Sequence, residues 1–366
     1  MCYAYPLNIY STPPPNPLEK KMLKNKKLIT LLCATFALVL FAAACGSDDS
    51  DDASLLEEVQ DRDSVRCGVR DALAGFAVLG ADGSYSGFDV EFCRVVAAGV
   101  LGDASKVEFI PLETADRFTA LQSGEVDVLI RNTTWTATRD GQEGANFLFT
   151  TLYDGQGFIV PADSGITSLE GLQDASICVA TGTTTELNLN AVFSARGINF
   201  NPVVLDSNTT LQEAYEGGQC ESYTGDASSL ATYKFTSERD GGPAQYVIPE
   251  VISKEPLGPV VADGDTAWAQ AVNWSIMATV QAWEFGLDSG NVNSYNGTDP
   301  NVMNFLGAID PSIEGLSTDF AANVVSQVGN YKQIYERTLE PLGLPMAGSA
   351  NRLWTDGGLL YTPPYR

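Results

Sequence analysis

The 366-residue sequence contains no histidine. That single absence removes the most frequent general base, the most frequent metal ligand and the Ser-His-Asp arrangement together. Positive charge is scarce as well, with 21 lysines and arginines against 46 acids and a net charge of −25. Five of those lysines and one acid, Glu19, fall in residues 1–45, leaving 16 basic and 45 acidic residues, net −29, for the remainder. So acidic a surface repels nucleic acid and anionic lipid, and neither is expected as a partner of the folded part. What is present suits a globular protein: 44 % apolar and 10 % aromatic residues, enough for sizeable cores, in a length that suggests two domains.

The one long apolar run lies near the N-terminus. Lys24, Lys26 and Lys27 precede Leu28–Leu40, which has the length of a signal-peptide core. Leu40-Phe41-Ala42-Ala43-Ala44-Cys45 then resembles a bacterial lipobox, in which the cysteine becomes the lipidated first residue of the mature chain. The rival is a single membrane-spanning helix, but Leu28–Ala44 sits at the bottom of the spanning range. Residues 1–21, with Pro13-Pro14-Pro15, resemble no part of a leader, and Met22 makes a better start. The expected organisation is an upstream extension (1–21), a lipoprotein signal peptide (22–44) and a lipidated Cys45 with a flexible acidic tether (45–62). A membrane contact through the lipid alone and an extracytoplasmic location, periplasm or cell surface, go with it.

Of seven cysteines, four remain beyond Cys45: Cys67, Cys93, Cys178 and Cys220. An even number outside the cytoplasm implies two disulfides, and four cysteines allow three connectivities. Neighbour pairing, Cys67 with Cys93 and Cys178 with Cys220, staples each half of the chain internally and is preferred. Zinc is the rival, but no pair has close ligand spacing, and neither a metal nor any cofactor is expected.

From Asp63 the pattern alternates between strands and helices. Val65–Val69 reads as a strand, Asp82-Gly83 as a hairpin turn, and Asp89 as the cap of a helix ending at Gly99 or Gly102. Val107–Pro111, a helix over Thr114–Ser123 and a strand over Val126–Ile130 complete a βαβαβ unit. A second unit of the same grammar runs through Ser176–Ala180, a helix from Leu187 to Ala195, Val203–Leu205, a helix over Thr210–Glu216, and Cys220–Thr224 ending at Gly225-Asp226. A helical tail follows, with helices expected over Thr266–Phe285 and about Phe320–Val328. The expected limits are 63–158 for lobe 1, 159–257 for lobe 2, and 258–366 for the return to lobe 1 with a helical extension.

Ligands of open α/β sheets bind at the carboxyl ends of the strands. In the first unit that end carries Asn132, Thr134 and Arg139, the last with a planar fork suited to a carboxylate. In the second, Thr183, Thr184 and Thr185 stand at a helix entrance, where free N–H groups favour an anion; they also suit an N-cap. Asp226 ends a strand and can accept from an ammonium, or cap the next helix. A carboxylate receptor and an ammonium receptor facing one another describe an α-amino acid.

Several dispersed stretches carry a family resemblance. Val65–Val69, Arg117–Leu129, Asn132-Thr133-Thr134-Trp135, Tyr153–Phe158, Thr181–Asn188 and Ile252–Pro259 resemble the solute-binding component of general L-amino-acid ABC importers, extracellular solute-binding protein family 3. Gly329-Asn330-Tyr331 and Trp354–Pro364 agree. The resemblance implies a type II periplasmic-binding-protein fold. Two α/β lobes are joined by a two-strand hinge near Phe158–Pro161 and Leu257–Val261, with a helical C-terminal extension. It implies binding without chemistry by a monomer that closes on an L-amino acid and delivers it to the permease subunits. Residue by residue, Arg139 matches the arginine on the α-carboxylate, with Asn132 and Thr134 beside it. Thr184 and Thr185 match the second-lobe contacts, and Asp226 matches the acid on the α-ammonium. The first strand loop departs from the wider pattern, with Arg70 and Leu73 where an acid and an aromatic often stand, and Phe76 is the aromatic expected to serve there. Rival readings are an enzyme on the same fold, of the cyclohexadienyl dehydratase or lytic transglycosylase type, and a ligand-sensing module.

Overall fold

The computed structural model describes residues 54–308 and 313–365. The upstream extension, the signal peptide, Cys45 and the spacer Gly46–Asp52 lie outside the described residues.

Regular structure begins earlier than the expected end of the tether at residue 62. Helix α1, Leu55–Arg62, opens on a capping box in which Ser54 and Glu57 satisfy each other's backbone N–H groups. Its Leu56 and Val59 are buried, the Leu55 N–H donates to Asp265 at 2.6 Å, and Arg62 pairs with Asp127. The acidic composition suggested a solvated tether; the Ser-x-x-Glu spacing ahead of two buried apolar residues was the opposing signal.

Lobe 1 then forms from β1 (Val65–Val69), a small meander of β2 (Ala72–Leu73), β3 (Ala77–Leu79) and β4 (Tyr85–Ser86), helix α2 (Phe88–Leu101), β5 (Val107–Pro111), α3 (Arg117–Gln122), β6 (Val128–Leu129), α4 (Ala137–Gln142) and β7 (Ala145–Phe147). Asp89 does not cap α2. Gly87 takes the N-cap with φ +132°, where an added Cβ would lie 2.3 Å from the Phe76 carbonyl oxygen, so only glycine fits. That leaves the Asp89 carboxylate, one residue into the helix, free to face the strand ends.

Strand β8 (Leu152–Asp154) leads into lobe 2: β9 (Gln156–Pro161), β10 (Ser176–Ala180), α5 (Thr184–Arg196), β11 (Asn201–Leu205), α6 (Asn208–Glu216), β12 (Ser222–Asp226), α7 (Ala227–Arg239) and β13 (Gln245–Ile248). Strand β14 (Glu255–Leu257) returns to β15 (Val260–Ala262) in lobe 1, followed by α8 (Thr266–Glu284), α9 (Pro300–Phe305), α10 (Phe320–Gln327) and α11 (Tyr331–Thr338). The two sheets repeat one plan. Lobe 1 has the order β5-β1-β6-β15-β7 and lobe 2 the order β11-β10-β12-β9-β13. In each, three parallel strands are followed by one that runs antiparallel to them and then by an outer strand antiparallel to that one. Helices cover separate cores, one around Phe88, Phe92, Trp268 and Tyr331, others around Phe158 and Phe193 and around Tyr215 and Tyr223. This is the two-lobed α/β architecture.

The hinge lies a few residues from where the resemblance put it. Phe158–Pro161 is laddered on both sides, to β12 and β13, and Phe158 to Val160 are wholly buried, so it is core strand of lobe 2. The segments that cross between the lobes are β8 and β14, an antiparallel pair of their own with Leu152 opposite Leu257 and Asp154 opposite Glu255. The C-terminal extension braces this pair. Asn351 accepts from the Tyr153 N–H at 2.7 Å and donates to its carbonyl at 3.0 Å, and the Tyr331 hydroxyl donates to the Thr151 carbonyl at 2.7 Å.

Each lobe carries its own disulfide: Cys67 of β1 joins Cys93 of α2, and Cys178 of β10 joins Cys220 just ahead of β12. Non-reducing peptide mapping is expected to recover these two links; a Cys67–Cys178 peptide would overturn lobe-internal pairing.

Candidate functional site

The parallel strands of both lobes point their carboxyl ends into one cleft, and Asn132, just past β6, is its hub. Its φ of +36° is a left-handed conformation that asparagine tolerates better than most residues. In that pose its N–H donates to the Asp89 carboxylate at 2.9 Å. Its side-chain carbonyl accepts from Arg70 Nε at 2.7 Å, and its amide donates to Asp226 of lobe 2 at 2.9 Å. One side chain thus links a cation of lobe 1 to an anion of lobe 2.

Arg139 lies on α4, whose N-cap Thr136 accepts from the Arg139 N–H at 3.2 Å. Its guanidinium donates to the Thr134 carbonyl at 2.9 Å and sits over the Phe118 ring, 5.7 Å from the centroid. Arg117 of α3 sits over the same ring at 5.1 Å and reaches across to the Gly182 carbonyl of lobe 2 at 3.3 Å. With Arg70 this makes three guanidiniums lining one chamber, and none forms an ion pair with a carboxylate among the described residues. Burial opposes the charge on all three; at Arg117 the neighbouring Arg139 and Arg70 oppose it further. An arginine does not escape by losing its proton. Asp226 and other nearby carboxylates offset part of that cost without pairing, so the cluster still favours an anionic group placed among its donors.

Lobe 2 supplies the opposite wall. Thr183 caps α5: its hydroxyl donates to the Ala180 carbonyl at 2.7 Å and accepts from the Glu186 N–H at 3.1 Å. Thr185 is buried, 2.8 Å from the Thr183 hydroxyl. Thr184 faces the cleft, donating to Glu255 at 2.8 Å and lying 3.4 Å from Thr134 of lobe 1. Asp226 occupies the N-cap position of α7 but makes no capping bond; its carboxylate turns to Asn132 instead. Burial first, then the Asp154 and Glu255 carboxylates, push its pKa up to about 7 against the pull of Asn132 and Arg70.

Asn132, Thr134, Arg139, Thr183, Thr184, Thr185 and Asp226 all line a single interlobe chamber of about 40 Å³. Phe76 does not. It is 1 % exposed and packs edge-on against Phe88 in the lobe 1 core, because the backbone of the loop turns at Gly75 and carries it inward. Leu73, not Phe76, presents the apolar side chain of that loop to the chamber. Arg131 lies behind the wall, fully buried, donating to the Leu112 carbonyl and the Thr114 hydroxyl.

The sequence model of the bacterial extracellular solute-binding proteins, family 3, matches residues 65–284. The chain belongs to that family. It is 43 % identical over 351 residues to the general L-amino acid-binding periplasmic protein AapJ of Rhizobium johnstonii, covering 94 % of this chain and all of that one. It is 42 % identical to the glutamate/glutamine/aspartate/asparagine-binding protein BztA of Rhodobacter capsulatus, covering 91 % of this chain and 99 % of that one. Among solved structures, a periplasmic binding protein of an ABC transporter from Brucella ovis, with glutathione bound, superposes with a TM-score of 0.80 at 42 % identity, covering 86 % of this chain and all of that one. Family membership places this solute-binding protein outside the cytoplasm.

The solute-binding protein owes part of its cleft to residues that strand-end reasoning passed over. Arg117 stands at the start of a short helix, and its signal was a charge beside Phe118 in a segment whose apolar face is otherwise buried. Glu255, 1 % exposed, lies on a hinge strand and accepts from Thr184 and Asn188, which holds the α5 entrance in place. Asp154 opposite it accepts from the Ser228 hydroxyl and N–H at the start of α7. No local pattern announces a hinge acid that positions a helix many residues away.

Proposed function

We propose that the cleft binds L-α-amino acids and that closure presents them to the permease subunits of an ABC importer. The observation that carries the reading is Arg139, buried and without a carboxylate partner, in one chamber with Asp226. The α-carboxylate would sit on Arg139 with Thr134, Thr184 and the first free N–H groups of α5 around it. The α-ammonium would sit on Asp226 and complete its pairing, which a buried charge requires. Arg70 and Arg117 would then face the side chain, favouring acidic and amide side chains. The names of the Rhizobium and Rhodobacter relatives support this reading, and glutathione on the Brucella protein carries the same L-α-amino-acid head on its γ-glutamyl residue.

The protein acts in this reading as a binding protein rather than an enzyme: without histidine, proton transfer in the chamber falls to Asp226, already engaged by Asn132. It would work as a monomer, held to the membrane by lipid on Cys45. Thermal-shift screening against the L-amino acids tests the core of the proposal, since a ligand at a hundred times its Kd stabilises the native state by about 2.7 kcal/mol. A clear rise in Tm with several amino acids, the acidic ones and their amides among them, is expected. No shift with any would overturn it.

A further inference from the structure

The chamber that holds these groups is small. At about 40 Å³ it has room for roughly three waters by the measure in which one water needs about 10–15 Å³. An amino-acid head nearly fills that space. Beside it lies a second compartment of about 220 Å³, and the two share Leu73 and Ser229 in their walls. Leu73 and Ser229, both buried, each line both spaces and so form the partition between them. Beyond it, Ala74 and Val78 of the lobe 1 meander face Gln212 of α6 and Thr232 and Thr236 of α7.

The chemistry of the two spaces differs. Three arginines and Asp226 line the first; no residue lining the second carries a charge. Methyl groups, aliphatic carbon and the Tyr233 ring stand there beside hydroxyls and one amide, a lining that accepts an uncharged group with a few hydrogen-bonding atoms. Arg70 and Leu73 come from the same loop, three residues apart, so the loop that supplies Arg70 to the chamber also supplies part of the partition.

We infer that the second compartment is a subsite for a ligand longer than a free amino acid: an L-α-amino acid whose side chain is prolonged through an amide bond to an uncharged substituent, as in a γ-glutamyl amide. The inference rests on the amino-acid reading of the chamber. The head stays on Arg139 and Asp226, the γ-amide passes Arg70, and the substituent displaces the Leu73 side chain to enter the space between the meander and α7. Closure of the lobes brings the two walls of the subsite together, since one belongs to each lobe.

The test uses calorimetry on the purified protein with L-glutamine, L-glutamate and γ-L-glutamyl-p-nitroanilide as probes. Ala74→Trp and Thr236→Trp fill the compartment from opposite walls, at half-exposed positions outside the amino-acid chamber. The wild type is expected to bind the anilide. Each variant should weaken anilide binding at least tenfold while holding L-glutamine and L-glutamate within about twofold, and Leu73→Ala should tighten the anilide. Two fillings guard against misfolding of either, since retained L-glutamine or L-glutamate binding reports a native cleft. If glutamine or glutamate binds the wild type and the anilide does not, or if the anilide binds equally well to both filled variants, the subsite is overturned and the amino-acid reading stands. If none of the three binds, both are overturned.

Discussion

Arg139→Ala is expected to weaken L-amino-acid binding by about 2–5 kcal/mol, on the order of thirtyfold to a few thousandfold, as for removal of one partner of a buried, hydrogen-bonded charge pair. A structural arginine and a ligand-binding one make opposite predictions for the ligand-free protein. If Arg139 served the fold, its loss would lower the Tm. But among the described residues its charge is buried without an ion-paired carboxylate, and its side chain gives the protein one hydrogen bond, to the Thr134 carbonyl, and contact with Phe118. Glu255, Asp226 and Glu143 offset part of the cost of burying that charge from a distance, but no ion pair does, so removing it relieves much of its desolvation cost. The ligand-free variant should therefore melt no lower than the wild type. Arg139→Lys should recover little, because an ammonium cannot present two parallel donors to a carboxylate. Calorimetry and thermal melts on the same samples decide the matter: unchanged affinity, or lost affinity with a collapsed Tm, would remove Arg139 from the ligand.

How much of this could be read in the sequence depends on whether the determinants were local. The βαβαβ units are local patterns of apolar strands and capped helices, and the strands and major helices stand where those patterns lie. That Asn132, Thr134, Arg139, Thr183–Thr185 and Asp226 would line one cleft was legible because the topology of an α/β sheet places the carboxyl ends of its parallel strands on one side. Phe76 and Asp89 were misread for one reason. Both positions are set by Gly87 and Gly75, where positive φ re-aims the chain, and the sequence shows the glycines but not the direction they turn it. The hinge was displaced because an apolar strand crossing between lobes looks the same as one inside a sheet. Arg70 and Arg117 come from a loop and a helix start remote from Arg139, and only the fold reveals that three cations share one chamber.

Asp226 tests the other pole of the ligand. Asp226→Asn keeps the shape and can still bond Asn132, so a lost cap is not at issue; the structure gives Asp226 no capping bond in any case. What disappears is the negative charge, and at pH 8 the variant is expected to bind amino acids about 2–5 kcal/mol more weakly. The pH dependence separates this role from a packing role. Burial, Asp154 and Glu255 raise the folded pKa to about 7. In the ligand-free protein, then, the stability held by the protonated group is present below the ordinary carboxylate range and lost as pH rises through about 7. An ammonium ligand requires the ionised form, so binding below that pH expels a proton, and affinity falls by up to about tenfold per pH unit. Asp89 and Asp154, each raised to about 6 chiefly by burial, add their own titration at lower pH. Between pH 8 and 6.5 the wild type should lose affinity and release protons, measured as a dependence of the calorimetric heat on the buffer's ionisation enthalpy. Asp226→Asn should flatten both over that interval. A variant that keeps the wild-type slope would show that the titrating group lies elsewhere, and one that keeps wild-type affinity at pH 8 would take the ammonium away from Asp226 altogether.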